Sequence, residues 1–260
     1  MLFADRPRAQ YNKSPAHEVI CQLQFPPILS INEIEPVAFQ DRVRRDFPQY
    51  ARQEDTPPPR LTGMGTPNMK LEQPKPVTNY HFLSGDGGWK LNLTRDFIAL
   101  STLRYQGWET FTRYLDKPLA AFIQIYEPAY LQRIGLRYRN IISRQRLGLE
   151  DVPWSELITP AYLGPLREED IAEADIDKLA LELVVRLENG CRAKIHAGPG
   201  RIKAKNGAED PETKFILDID VFQSGNIACT QAPHVLETLH TQAGRVFEGA
   251  VRERLRDAMS

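Results

Sequence analysis

Three arginines stand at alternate positions around a glycine in the stretch Leu131 to Ile142. Arg133, Gly135, Arg137 and Arg139 fall on one side of the alternation; Ile134, Leu136, Tyr138 and Ile142 fall on the other. Period-two alternation marks a half-buried β-strand. Same-face positions on a strand lie about 7 Å apart, so the guanidiniums could hold phosphates or carboxylates along a line. Gly135 would let such a ligand approach the backbone. The competing reading is structural: the arginines pair with acids on covering helices or on the segment that follows, since charge rows are commonly neutralised or solvated.

A second set is acidic. Asp218 and Asp220 share one face of a strand, and Glu182 on a neighbouring strand could join them around a divalent ion. A solvated strand face is the simpler explanation of the same residues. The five histidines, His17, His81, His196, His234 and His240, form no His-x-x-x-His pair. The loop His196 to Lys203 has the glycines of a phosphate loop without its Gly-Lys-Ser/Thr ending. No Gly-x-Ser-x-Gly elbow is present. Neither a catalytic set nor a cofactor is indicated.

These residues need elements to position them. His17 to Phe25 reads as a strand, Asn32 to Phe47 as a helix capped by Asn32, and residues 48–76 as a proline-rich loop around Pro57, Pro58 and Pro59. Three strands follow (80–83, 89–94 and 97–103). A helix from Gly107 to Tyr126 comes next, expected to kink at Pro118 or to divide there into two short helices. After the strand at 131–142, an acidic linker leads to three more strands. These are 179–187, a return from Cys191 to Ala197 across a tight Asn189-Gly190 turn, and 215–222. A long helix from Ala232 to Met259 carries an apolar stripe that includes Leu236, Leu239, Val246, Phe247 and Leu255. Residues 80–126 and 179–259 both read β-β-β-α. The fold class is therefore α+β: two related β-β-β-α units with antiparallel sheet covered by helices. The division falls at residues 1–148 and 149–260, unless the two units share one continuous sheet with strand 131–142 as the joint.

Composition sets the remaining bounds. Formal net charge is −1, so no bulk attraction to nucleic acid or anionic lipid exists. Residues 133–146 carry five arginines and no acid, whereas residues 150–177 carry nine acids against Arg167 alone. RNA binding on a sheet platform needs aromatics among the basic residues, yet Tyr138 points away from Arg137 and Arg139. Cys21, Cys191 and Cys229 are odd in number and widely spaced, which argues against disulfides and zinc. The N-terminus lacks an apolar signal region, and no run is long enough to span a membrane. A cytoplasmic location is expected.

Several segments together resemble a sporadically distributed, uncharacterised bacterial protein family. They are Tyr11, Pro15 and Glu18-Val19 leading to Phe25; Thr102 to Tyr105 with Gly107-Trp108 and Phe111; Arg133-Ile134-Gly135-Leu136-Arg137-Tyr138 with Asn140; and Leu239-His240, Phe247-Glu248 and Leu255-Arg256. Ala250-Val251 stands where an Ile-Thr pair is expected. The resemblance implies a bacterial origin and one full-length module, and brings no activity or catalytic residues.

The sequence is best read as a non-enzymatic binding or interaction module. Arg133, Gly135, Arg137 and Arg139 are its candidate contacts for an acidic partner or small anion. The alternative is a metal-dependent enzyme acting on a phosphorylated substrate or nucleic acid through Asp218, Asp220 and Glu182. Homodimerisation through the C-terminal helix is a third expectation.

Overall fold

The computed structural model describes residues 3–6, 9–56, 60–62, 70–72, 76–168, 170–176, 178–202, 207 and 210–260. Pro57 to Pro59 and Lys203, named above, lie outside them. The strands are β1 (Ala16–Gln24), β2 (Gln49–Asp55), β3 (Arg60–Thr62), β4 (Lys70–Glu72), β5 (Val77–Leu83), β6 (Trp89–Leu93), β7 (Phe97–Thr102), β8 (Leu131–Ile142), β9 (Leu181–Arg186), β10 (Arg192–Gly200) and β11 (Lys214–Ile227). The helices are α1 (Ser30–Glu33), α2 (Val37–Val43), α3 (Trp108–Tyr126), α4 (Arg144–Leu147), α5 (Trp154–Leu157), α6 (Ala232–Ala250) and α7 (Glu253–Met259).

Among the described residues, nine strands form one antiparallel sheet in the order β2-β5-β6-β7-β1-β8-β11-β10-β9. The sheet runs through both segments of the chain, so the molecule is a mixed α+β structure built on a continuous sheet. β1 and β8 are its centre, paired so that Val19 faces Tyr138 and Cys21 faces Leu136. On each side of that pair stands a three-stranded meander, β5-β6-β7 or β9-β10-β11, whose last strand is the innermost. A helix follows each meander: α3 after β7 and α6 after β11.

The apolar side of every central strand enters one core. Val19, Cys21, Leu23, Ile134, Leu136, Tyr138, Leu217, Ile219 and Val221 are buried there with Phe111, Leu115 and Phe122 of α3 and Leu239, Val246 and Phe247 of α6. Full burial of an aliphatic or aromatic side chain is worth about 1.5–3 kcal/mol, so alternation on these strands fixes which face the helices cover. The apolar stripe of the C-terminal helices packs inside the chain: Leu236, Leu239, Val246 and Phe247 of α6 and Leu255 of α7 are all buried. No helix among the described residues is long and apolar enough to cross a membrane.

Four local expectations change. Residues 30–43 form two short helices, not one helix from Asn32 to Phe47, because Pro36 disfavours helical geometry at the residue before it. Part of the expected proline-rich loop, Gln49–Asp55, is a strand paired along its length with β5. Helix α3 continues through the buried Pro118 and does not divide into two short helices; packing of its apolar face outweighs one missing N–H. The expected helix from Ala232 to Met259 divides at Val251-Arg252. Val251 is extended and bridges Ile158, while Arg252 N donates to Leu157 O. The expected Asn189-Gly190 turn has left-handed backbone at both residues, as a two-residue hairpin turn requires.

One close approach locks the start of β9. A Cβ on Gly198 would stand 2.4 Å from the carbonyl oxygen of Leu179, a backbone atom with no freedom to move aside. At Gly200 the obstacle is the Cδ1 of Ile216 at 2.7 Å, the far end of a flexible side chain. Gly198→Ala should therefore lose about 2 kcal/mol in urea unfolding, and Gly200→Ala less than about 1 kcal/mol. Equal losses would show that the Leu179 crossing does not constrain the fold.

Candidate functional site

The uncovered face of the sheet holds the candidate arginines and acids. Arg133, Gly135, Arg137 and Arg139 stand on β8 with Glu18, Gln22 and Gln24 of β1 on one side and Asp218, Asp220 and Phe222 of β11 on the other. Each arginine has an acidic partner, and the partners come from the neighbouring strands instead of from covering helices or the acidic segment. Arg133 Nη2 donates to Asp220 at 2.8 Å, and Arg139 Nη1 to Glu18 at 2.6 Å. Arg137 makes a two-pronged contact with Asp218, Nε to Oδ1 at 2.8 Å and Nη2 to Oδ2. That hydrogen bond holds the Arg137 pKa above its ordinary value.

Gly135 does not open the backbone to a ligand. The Arg133 guanidinium folds over it, so close that a Cβ there would meet Nη1 at 2.2 Å, and lies 4.5 Å from the centre of the Phe222 ring. Glycine at this position makes room for its neighbour's side chain. Arg137 and Arg139 keep side-chain exposures of 44% and 42%, so their outer edges still reach solvent.

The same pairing engages the acidic set. Asp218 and Asp220 are each committed to an arginine, and Glu182 pairs with Lys194 at 3.1 Å. In register, Glu182 is separated from Asp218 by His196, which puts it two strand spacings, about 10 Å, away. Among the described residues no group of three potential metal-ligating side chains converges.

The helix-covered side contains a feature that the candidate residues did not include. A cleft of ≈ 850 Å³ opens between residues 9–17, the loop 103–109 and α6. One wall is a rigid aromatic panel. The Trp108 ring stacks on His240 at 4.3 Å and 4° and donates its Nε1–H to Glu237 at 2.6 Å. His240 Nδ1 hydrogen-bonds the buried Tyr138 hydroxyl at 2.8 Å, and Tyr105 comes within 3.4 Å of the same hydroxyl.

Asn140 also lines the cleft, with 1% of its surface exposed. Its Nδ2 donates to the carbonyls of Leu217 at 2.9 Å and Tyr138 at 3.3 Å. Its Oδ1 accepts no hydrogen bond among the described residues. Arg146, on α4 just after β8, brings a guanidinium with no acidic partner among the described residues. The opposite wall is pinned by Glu248, buried on α6. The carboxylate accepts from Tyr11 at 2.9 Å and from Ala9 N at 3.3 Å. Arg6 Nε lies 3.3 Å from Oε2, an ion pair by distance whose angle falls short of a hydrogen bond. Burial, then the bond to Glu248, raises the Tyr11 pKa.

Tyr11, Tyr105, Trp108, Asn140, His240 and Phe247 reach this cleft from segments far apart in the chain. They are also residues that carry the resemblance described above, the one sequence signal able to single them out. No protein-family profile matches the chain, and no curated protein is significantly similar to it. The three thiols lie elsewhere. Cys21 and Cys191 are buried and Cys229 is half-buried. Burial pushes the Cys21 pKa up to about 12, which leaves it a protonated and unreactive thiol at neutral pH.

Two outcomes follow from the arginine face. Arg133→Ala removes an ion pair, the cover of Gly135 and the contact with Phe222, and should cost about 2 kcal/mol in chemical denaturation. Arg137→Ala removes a more exposed pair and should cost about 1 kcal/mol or less. Asp220 gives a pH test. Burial raises its pKa above 3.8, with Arg133 and Arg137 pulling the other way. A raised carboxylate pKa favours the protonated folded state, so the associated stability is present at low pH and is lost as pH rises through that value. Asp220→Asn escapes this loss: its stability relative to the parent should climb from about pH 4 upward. A flat difference would contradict the desolvation of Asp220.

Proposed function

We propose that this protein is a cytoplasmic, non-enzymatic binding module whose ligand is a small oxyanion-bearing molecule held in the cleft on the helix-covered side. The observation that carries this reading is a ligand-sized cleft lined by the Asn140 amide, the stacked Trp108–His240 pair and Arg146, whose guanidinium has no acidic partner among the described residues. The Asn140 side-chain oxygen is an acceptor that a ligand N–H or O–H could use. Arg146 suits phosphate or carboxylate. The volume lies within the usual range for small-molecule sites, and the Trp108–His240–Tyr138 panel is held in place before any ligand arrives.

A second surface has its own support. Arg137 and Arg139 remain about half exposed on the uncovered sheet face, where an acidic protein partner could share them with Asp218 and Glu18. The metal-dependent alternative has less behind it, since a metal would have to displace Arg137 and Arg133 from their carboxylates. Nucleic acid is disfavoured by the alternation of charge sign on this face. We also read the two β-β-β-α units as related halves, supported by their mirrored strand order about the β1–β8 pair, and the chain as a member of the bacterial family it resembles.

The cleft is tested by thermal shift with inorganic phosphate and with acetate. Phosphate should raise the melting temperature of the parent protein, and Arg146→Ala should abolish the shift without changing the melting temperature in plain buffer. A shift that survives in Arg146→Ala, yet disappears in Arg137→Ala, would move the anion site to the sheet face.

A further inference from the structure

The two edges of the sheet differ. β2 is polar throughout apart from Tyr50 and Ala51, and its charged residues Arg52, Glu54 and Asp55 suit an edge that faces water. β9 reads Leu-Glu-Leu-Val-Val-Arg, and Val184 at its centre is 58% exposed. Natural sheets blunt their edges with charge, proline or brevity, and an apolar centre on a six-residue edge strand is the opposite arrangement. On the core side, Leu181, Leu183, Val185 and Leu187 pack against the core but are only partly buried. The apolar layer therefore stops short at this edge.

The hydrogen-bonding geometry fixes how the edge can be completed. Leu187 N donates to Cys191 O, so residues of its parity, 185, 183 and 181, direct their backbone groups toward β10. Glu182, Val184 and Arg186 direct theirs outward. Among the described residues, none of these outward groups has a backbone partner.

We propose that β9 pairs with β9 of a second copy of this chain, antiparallel and centred on Val184, to make one sheet across a two-fold dimer. In that register Val184 faces the partner's Val184, and Glu182 faces the partner's Arg186 twice over. All outward backbone groups of the three residues pair at once, because all three share the required parity. The charges argue for a copy of this chain over an unrelated strand. Arg186 has no acidic partner among the described residues and stands directly opposite Arg192 on β10. Like charges in that position repel, and a partner's Glu182 supplies the missing acid. Leu183 and Val185 meet their counterparts on the core side and extend the apolar layer. The proposal does not depend on the cleft or its ligand.

Sedimentation velocity over a range of protein concentrations tests this directly. The parent protein should show a concentration-dependent dimer. Glu182→Arg and Arg186→Glu should each sediment as monomers, since each sets like charges against one another twice. The double variant Glu182→Arg/Arg186→Glu should recover the dimer, which also shows that charge, not misfolding, broke it in the single variants. A parent protein that stays monomeric throughout the range overturns the proposal. So does a dimer indifferent to both single exchanges, because it would use another surface.

Discussion

The structure depends on the pairing of β8 with two neighbours at once. β8 bonds to β1 along one edge and to β11 along the other, and those three strands join the first meander to the second. Without β8 the sheet would separate into two smaller ones, each with a new unpaired edge and half a core. Its twelve residues therefore serve opposite environments along their whole length: Ile134, Leu136, Tyr138 and Ile142 under the helices, Arg133, Arg137 and Arg139 in the open. A one-residue slip would exchange those sets, and burial of three guanidiniums forbids it.

That constraint explains the fate of the arginines. A basic central strand is tolerated because its flanking strands present acids in register: Glu18 across from Arg139 on β1, Asp218 and Asp220 beside it on β11. Each pair alone contributes little at a surface. Together they make the register of three strands self-consistent, since shifting any one would set charge against apolar or like charge. Arg133 is the most committed, covering Gly135 and resting on Phe222. The row is first a device for aligning strands, and only the outer edges of Arg137 and Arg139 remain for anything else.

The helix-covered side uses the same strand differently. Tyr138 and Asn140 are polar residues on the apolar side of β8, where an aliphatic residue would pack at less cost. Their placement makes sense at the end of the core, where Tyr138 anchors His240 and Asn140 offers an acceptor to the cleft. Helix α6 supplies both walls, with His240 on one and Glu248 holding the N-terminal segment on the other.

Much of this was legible in the chain. Period-two alternation located most of the strands of the large sheet, and the Asn189-Gly190 turn and the helical stripes were explicit in residue order. These features are local: a side chain's face follows from its place in the alternation, and an apolar stripe must be buried. The sequence also determined that one face of the sheet would be charged. It could not determine strand order, and therefore could not show that Asp218 meets Arg137 or that Arg133 fills the space above Gly135. Nor could it find the cleft, whose members converge from residues 11, 105, 108, 140, 146 and 240 only when β8 lies beneath α6. The same applies to the break at Val251, which is set by pairing with Ile158 nearly a hundred residues away. Alternation and stripe record what each segment must bury; which segment buries it is decided by long-range pairing, a property of the assembled sheet alone.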